Sequence, residues 1–330
     1  MERESSSNLE ERYEKIKKSR FKQQKLPAIR PVPTTFSTTI IFTSFGIIFI
    51  FIGIILLISS NKIVEITNRY DDECSAVTNP CKIKFEIKKE MQAPIMVYYQ
   101  LHNFYQNHRI YVKSKSNEQL TGNMLTLETI KKTGACDPVE TNSQMGKEFS
   151  IDHSPLNPND IAVPCGLIAR SLFNDTFKMY YRGLDGSLEE EIIINEKGIA
   201  WEEDVKLKYK NVKNPNNISD TNYYKKVQWI DMTDEHFIVW MRIAGLPNFR
   251  KLWGKIEGKQ LEKGKYDMII NDNFKVSTFN GKKFFVLTTV NVFGGKNNFL
   301  GIAYIVTGCI SLIFNFVFLI GFNIYKRKNA

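Results

Sequence analysis

Two long apolar runs lie near the ends of the chain, and a long segment of mixed character separates them. Residues 36–60 read FSTTIIFTSFGIIFIFIGIILLISS and residues 299–322 read FLGIAYIVTGCISLIFNFVFLIGF, and neither run contains a charged side chain. A helix of about 24 residues is roughly 36 Å long, which is enough to cross a hydrocarbon core of about 30 Å. The first run is longer than the apolar part of a cleaved signal peptide. The pattern therefore predicts two transmembrane helices.

Residues 61–298, between the two runs, are far too numerous for a connecting loop and must form a folded domain. Stretches rich in β-branched and aromatic residues predict strands at residues 192–194, 236–243 and 283–293. Asn280-Gly281 stands between the sequences VSTF and KKFFV, and this dipeptide between two such runs predicts a tight hairpin.

The apolar residues of HFIVWM and FFVL do not alternate with polar ones, which predicts burial on both faces. The expected fold is therefore a membrane protein in which two transmembrane helices flank a large, mainly β domain. We expect that domain to be an antiparallel sandwich. Residues 114–160 and 211–226 are rich in Asn, Ser, Thr, Lys and Pro, and we expect irregular insertions there.

The distribution of Lys and Arg orients the two helices in the membrane. Cations are concentrated before the first run and after the second, at Lys15, Lys17, Lys18, Arg20, Lys22, Lys25, Arg30, Lys326, Arg327 and Lys328. By the positive-inside rule, residues 1–35 and 323–330 are cytoplasmic tails and residues 61–298 lie outside the cytoplasm. Most of the net charge of +10 comes from these ends, and the middle of the chain is nearly balanced, which excludes a uniformly basic nucleic-acid-binding protein.

The cysteines and glycosylation sequons agree with this orientation. Four of the five cysteines lie in the middle segment, namely Cys74, Cys81, Cys136 and Cys165. Two Asn-x-Ser/Thr sequons, at Asn174 and Asn217, lie there too. Disulfides and N-glycans both belong to the oxidising, extracytoplasmic side. Four cysteines permit three connectivities, and we favour Cys74–Cys81 and Cys136–Cys165 because the members of each pair are near in sequence.

The sequence contains no recognisable catalytic motif. It has no Walker loop, no Gly-x-Ser-x-Gly elbow and no Asp-Lys-Thr-Gly-Thr phosphorylation motif, and its four histidines lack metal-ligand spacing. We therefore expect no enzyme activity, no cofactor and no metal site.

The two apolar runs also lack the ionisable residues of a transport pathway. Asn315 is the most polar residue at depth; it either forms an interhelical hydrogen bond or is satisfied locally near the interface. Gly46 and Gly53 lie seven residues apart on one helix face and permit close helix approach. These features are typical of a helix pair that docks on another membrane protein.

Five motifs occur in order along the chain. They are FKQQKLPA (residues 21–28), YYQLHNFYQNHRIYVKS (98–114), PCGLIARSLFNDT (164–176), VWMRIAGLPNFRKLWGKI (239–256) and FGGKNNFLGIAY (293–304). Together they resemble the cell division control protein 50 family, the accessory subunits of type IV P-type ATPases, which move phospholipids between leaflets. The resemblance covers about residues 20–322.

The resemblance implies a β-sandwich ectodomain and a heterodimer with a ten-span ATPase, whose folding, exit from the endoplasmic reticulum and lipid transport the subunit supports. Its membrane would be the endoplasmic reticulum, Golgi, endosome or plasma membrane. It also implies disulfides at Cys74, Cys81, Cys136 and Cys165 and a glycan at Asn174.

Candidate contacts with the partner or with membrane lipids are Lys22, Gln23, Gln24, Lys25, Asn103, Tyr105, Asn107, Arg109 and Asn315. The segment at residues 103–109 is either an interior strand or an exposed contact. Alternatives for the whole chain are a two-span ligand-gated channel subunit, a receptor and a membrane-tethered enzyme.

Overall fold

The computed structural model describes residues 11, 13–26, 34–74, 79–183, 188–216 and 219–328. The chain divides into two compact units. One consists of residues 1–57 and 299–330, and the other of residues 58–298.

The second unit contains short helices and eight strands among the described residues, and a long helix lies on each side of it in the sequence. The helices are α1 (Thr35–Asn61), α2 (Asp71–Cys74), α3 (Arg109–Lys113), α4 (Asn117–Leu120), α5 (Leu127–Thr133), α6 (Asn142–Met145), α7 (Leu167–Arg170), α8 (Tyr223–Val227), α9 (Glu235–Met241) and α10 (Asn298–Lys328). The strands are β1 (Glu65–Arg69), β2 (Cys81–Ile87), β3 (Ile95–His102), β4 (Thr176–Arg182), β5 (Leu188–Ile192), β6 (Phe249–Ile256), β7 (Gly264–Asn271) and β8 (Lys282–Thr289). A π-helical turn covers Asp204–Lys208 and a 3-10 turn covers Ser277–Phe279.

The strands form two four-stranded antiparallel sheets, in the orders β1-β8-β3-β6 and β2-β7-β4-β5. Alternate residues of β2 and β3 are buried, so one face of each strand points into a core between the sheets. Aromatic pairs join the two sheets: the rings of Phe85 and Phe285 lie 5.3 Å apart, and those of Phe177 and Trp253 lie 5.1 Å apart. The antiparallel sandwich is confirmed. Three consecutive residues of β8, Phe285–Leu287, are buried, which confirms the expectation for FFVL.

The expected strand at residues 236–243 is wrong, because this segment contains helix α9. The carboxylate of Asp234 accepts a 3.0 Å hydrogen bond from the backbone N–H of Phe237 and caps the helix N-terminus. Phe237, Ile238, Trp240 and Met241 are buried, and this i, i+1, i+3, i+4 spacing is that of one helix face. The aromatic composition favoured a strand, but the N-cap and the helical period outweigh it.

The expected hairpin at Asn280-Gly281 is also wrong. Residues 277–279 form the 3-10 turn, and Asn280 adopts the left-handed conformation that ends it. Strand β7 before the turn and strand β8 after it belong to different sheets, so the dipeptide marks a crossover between sheets. The strand expected at residues 192–194 reaches only Ile192.

Both favoured disulfides are present, Cys74–Cys81 and Cys136–Cys165. The second joins the insertion at residues 114–160 to the segment before α7. Ser114 strengthens the same junction, because its hydroxyl donates to the carbonyl of Cys136 (3.0 Å) and accepts from the N–H of Leu167 (2.8 Å). The insertion itself contains three short helices, α4 to α6, with side-chain N-caps at Ser116, Thr126 and Thr141.

The chain enters and leaves the sandwich at one end, which we call the entry end. The Ser60 hydroxyl hydrogen-bonds Asn298 Oδ1 (2.5 Å) and accepts from the N–H of Asn297 (3.0 Å). Strand β3 pairs with β8 from Ile95↔Thr289 at this end to His102↔Lys282 at the other. Eight residues of strand span about 26 Å, and this length separates the entry end from what we call the far end.

In the first unit, α1 and α10 pack closely along two glycine pairs. A Cβ built on Gly53 would lie 2.8 Å from the carbonyl oxygen of Gly301, and one built on Gly308 would lie 2.8 Å from that of Gly46. The two backbones therefore approach more closely than any larger side chain would allow. Both helices are long and apolar enough to cross a membrane.

Candidate functional site

The segment at residues 103–109 lies at the far end and alternates between exposed and inward-facing residues. Tyr105 and Arg109 are exposed. The ring of Phe104 lies between those of Trp240, Phe249 and Phe279, at centroid distances of 5.2–6.3 Å. The segment is therefore a surface loop with an aromatic anchor and not an interior strand, and its contact with another protein stays a prediction.

Two amides hold this loop against its neighbours. Asn103 Nδ2 donates to the carbonyl of Phe279 (2.7 Å), and Asn107 Nδ2 donates to the carbonyl of Gly245 (3.0 Å). Asn103 has a left-handed backbone, and its N–H donates to Asn248 Oδ1 (3.1 Å). These bonds use two of the four predicted contact residues to shape the loop, and the other two, Tyr105 and Arg109, are exposed at its surface.

Residues 22–25 form an exposed turn in the first unit. The N–H of Lys25 donates to the carbonyl of Arg20 (2.8 Å), and Gln24 adopts a left-handed backbone. Gln23 Nε2 donates to the carbonyl of Ile16 (3.2 Å). The turn leaves the side chains of Lys22 and Lys25 exposed.

Asn315 joins the two long helices within this chain. Its Nδ2 donates a 2.9 Å hydrogen bond to Thr43 Oγ1, so the interhelical alternative is the one adopted. Its Oδ1 is buried without a partner among the described residues. Contact between Asn315 and another protein stays a prediction.

The first sequon surrounds a buried carboxylate. Asn174 is exposed, and Asp175 beside it is buried. Asp175 accepts hydrogen bonds from the Tyr70 hydroxyl, from Lys283 Nζ and from the backbone N–H of Phe274, at 2.6–2.7 Å. The sandwich thus fixes the backbone and leaves the Asn174 side chain at the surface. Asn217 lies outside the described residues.

A groove of about 370 Å³ runs along β6, which is the edge strand of its sheet. The exposed ring of Trp201 forms one wall, and the Arg242 guanidinium lies 4.8 Å from the ring centroid. Asp204 holds Arg242 there by accepting a 2.5 Å hydrogen bond from its Nε. Although burial raises it, hydrogen bonds from Arg242 and Lys208 hold the pKa of Asp204 below its usual value. We call Trp201, Asp204 and Arg242 the Trp201 groove.

A buried lysine forms the floor of this groove. Lys251 Nζ donates to the carbonyls of Val239 (2.9 Å) and Trp240 (2.7 Å) in the last turn of α9, and to the carbonyl of Arg242, which directly follows the helix. A cation at a helix C-terminus satisfies carbonyls that the helix leaves unpaired. Burial, helped by repulsion from Arg242, lowers the pKa of Lys251 to about 7.

Comparison with known proteins places the chain in a family. The model of the LEM3 (ligand-effect modulator 3) family / CDC50 family matches residues 10–328. The chain belongs to the LEM3/CDC50 family. CDC50-family chains are membrane proteins, so α1 and α10 are its transmembrane helices.

Relatives in plants and animals match almost the whole chain. "ALA-interacting subunit 3" of Arabidopsis thaliana is 39% identical over 98% of this chain and 90% of its own length. "Cell cycle control protein 50A" of Mus musculus is 36% identical over 94% of this chain and 89% of its own. "Cell cycle control protein 50B" of Homo sapiens is 31% identical, over 94% of each chain.

The CDC50-family motif at residues 239–256 is recognisable in the sequence, but the groove that it builds is not. The motif contains Arg242 and Lys251, while Trp201 and Asp204 come from a stretch about 40 residues earlier. The available signal was a Trp beside acidic residues, in Trp201-Glu202-Glu203-Asp204. Within the described parts of the chain, no three His, Cys, Asp or Glu side chains are grouped as a metal site would require.

Proposed function

We propose that this chain is the non-catalytic accessory subunit of a type IV P-type ATPase that translocates phospholipid. The observation that carries the proposal is the family match over residues 10–328, together with relatives that are named as interacting subunits. The two close-packed transmembrane helices and the large disulfide-bonded domain suit a subunit that docks on a larger membrane protein.

The subunit would form a heterodimer with the ATPase and support its folding, its exit from the endoplasmic reticulum and its transport activity. Both termini would be cytoplasmic, with the sandwich on the lumenal or extracellular side. The surface position of Asn174 supports glycosylation there, and we propose the same modification at Asn217. The final membrane would be the endoplasmic reticulum, the Golgi, an endosome or the plasma membrane.

We propose the Trp201 groove as a surface of the sandwich that binds the ATPase. Trp201 is 63% exposed, and its Arg242 neighbour is fixed in place by Asp204. Trp and Arg dominate the binding energy of protein interfaces, and a side chain that is already held loses little entropy on binding. Tyr105 and Arg109 would add a second contact at the far end, and Lys22 and Lys25 a third at an acidic or lipid surface.

Uptake of a fluorescent phospholipid tests this proposal in cells that lack the chain. Complementation with wild type restores uptake, and Trp201→Ala lowers it about tenfold or more because an interface anchor of at least about 2 kcal/mol is lost. Phe149→Ala, which removes another exposed aromatic side chain, keeps wild-type uptake. Equal uptake with and without the chain would contradict the proposal.

A further inference from the structure

A hydrogen-bonded turn at the entry end presents two apolar side chains to solvent. Val292 is 98% exposed and Phe293 is 65% exposed. Asn291 and Gly294 exchange two backbone hydrogen bonds, of 3.1 and 2.9 Å, and Asn291 Oδ1 accepts from the N–H of Phe293 (2.9 Å). Gly294 has φ +100°, which favours glycine at this position. We call residues 291–294 the apolar turn; its geometry holds the two side chains outward.

A basic cavity lies directly beside the apolar turn. It measures about 530 Å³, and Asn291 of the turn forms part of its wall. Three lysines line it, namely Lys62, Lys89 and Lys263, with Glu90 as the acidic residue of the lining. All three lysines are exposed, and no salt bridge joins any of them to another described residue. The lining therefore carries a formal charge of +2.

The apolar turn and the basic cavity both contain residues close in sequence to the points where α1 ends and α10 begins. Lys62 directly follows the last residue of α1. Asn291 Nδ2 donates a 3.0 Å hydrogen bond to the carbonyl of Ser59, and Asn298, seven residues further on, begins α10. Since α1 and α10 are transmembrane helices, their ends at residues 61 and 298 lie near a membrane surface.

This combination of charge and apolarity matches a membrane interface. Exposed apolar side chains gain free energy when they enter the boundary between headgroups and acyl chains, and lysines beside them gain from anionic headgroups. A protein partner could cover Val292 and Phe293, but it would not by itself explain three unpaired lysines around one cavity. A phosphate group explains both the charge and the position.

We propose that the entry end is a phospholipid-binding site, in which the apolar turn enters the membrane interface and Lys62, Lys89 and Lys263 bind the phosphate of an anionic phospholipid. The proposed site requires only that α1 and α10 span the membrane and that the apolar turn and the three lysines lie together in the sandwich. It does not depend on the identity of any protein partner.

Spin labels measure the depth of the turn in the full-length chain. We would place a label at Val292→Cys in a Cys309→Ser background, in nanodiscs of phosphatidylcholine with phosphatidylglycerol. The label is expected to be accessible to oxygen and protected from a water-soluble nickel chelate. A label at Leu246→Cys, an exposed apolar residue of the far end, is expected to show the reverse. Equal nickel accessibility at both positions would overturn the proposal.

The amount of lipid that stays with the purified chain tests whether the three lysines bind phospholipid. A triple variant with Lys62→Gln, Lys89→Gln and Lys263→Gln is expected to lower the phosphatidylglycerol that stays with the purified chain, by about fivefold for each lysine. The control variant with Lys113→Gln, Lys131→Gln and Lys132→Gln, at exposed lysines elsewhere in the domain, should leave it unchanged. The proposal fails if the two triple variants retain equal lipid, or if inorganic phosphate in solution occupies the cavity while phosphatidylglycerol does not. Protection of the Val292 label only after another protein binds would overturn it as well.

Discussion

Lys283 Nζ lies 2.7 Å from Asp175 Oδ2, and both side chains are almost completely buried, at 1% and 0% exposure. The pair joins strand β8 to the sequon ahead of β4, which belongs to the other sheet. Lys283 also donates to Asp272 and to the carbonyl of Phe274 (2.6 Å), so each proton of the ammonium group has an acceptor. A buried ion pair that is fully hydrogen-bonded fixes the position of both sheets around it.

Lys283→Met should therefore destabilise the sandwich by about 3–5 kcal/mol, because it leaves the Asp175 carboxylate buried without its cation. Lys282→Met is the matched control, since Lys282 is the neighbouring residue and is exposed. Thermal unfolding in detergent, followed by tryptophan fluorescence, should show a large fall in Tm for the first variant alone. Equal Tm values for the two variants would contradict the role of the pair.

Cys136→Ser should trap the protein in the endoplasmic reticulum, with glycans that remain sensitive to endoglycosidase H. The Cys136–Cys165 disulfide is buried, and removing such a bond costs about 2–5 kcal/mol. Cys309→Ser removes the free cysteine of α10 and should leave glycan maturation unchanged. Normal maturation of the Cys136→Ser protein would show that this disulfide is dispensable for folding.

The stability conferred by Lys251 should depend on pH. An unfolded lysine has a pKa of about 10.4, and burial lowers the pKa of Lys251 to about 7 in the folded chain. Between these values the unfolded state binds more protons, so the free energy of unfolding rises with pH, by at most about 1.4 kcal/mol per unit. Below pH 7 both states are protonated, and the contribution of Lys251 is constant.

The measurement is the Tm of the wild type and of Lys251→Met from pH 6 to pH 9. Above pH 7 the Tm difference should shift in favour of the wild type as the pH rises, whereas below pH 7 it should be constant. Curves that stay parallel over the whole range would contradict a depressed pKa at Lys251.

Gly53→Val should separate the two transmembrane helices. A Cβ at Gly53 would lie 2.8 Å from the carbonyl oxygen of Gly301 and 2.9 Å from the backbone nitrogen of Ile305, and neither backbone atom can move aside without shifting α10. Gly321→Val is the matched control, because a Cβ there meets no atom within 4 Å. The Tm in nanodiscs should fall for Gly53→Val and not for Gly321→Val. An unchanged Tm for both would mean that the glycine contact is not required.

Long-range patterns predicted the architecture, and local signals failed where tertiary packing decides the structure. The two uncharged runs and the mainly β composition were sufficient for the helices and the sandwich, because hydrophobic length and periodicity are properties of whole segments. The segment around Trp240 was misread because a buried helix and a buried strand both appear as apolar runs. Asn280 has the left-handed backbone that a hairpin turn would also need, so its sequence alone could not distinguish a hairpin from a crossover.

The candidate site could be predicted only in part, because most of its residues are distant in sequence and meet only in the folded chain. Tyr105 and Arg109 could be proposed from the sequence because they lie within one continuous motif; both are exposed, and their contact with a partner stays a prediction. Trp201 and Arg242 are distant in sequence and come together only through the fold. Asp204, on the π-helical turn, accepts a hydrogen bond from Arg242, which directly follows α9. Lys62, Lys89 and Lys263 are likewise scattered along the sequence and meet only where the chain enters the sandwich.

Purification of the tagged full-length chain from its native membranes in mild detergent, followed by mass spectrometry, tests the proposed function most directly. We predict a near-stoichiometric ten-span P-type ATPase in the wild-type sample and a strongly reduced amount with Trp201→Ala. A chain that purifies alone or as a homo-oligomer, with no P-type ATPase in any preparation, would contradict the role as an accessory subunit.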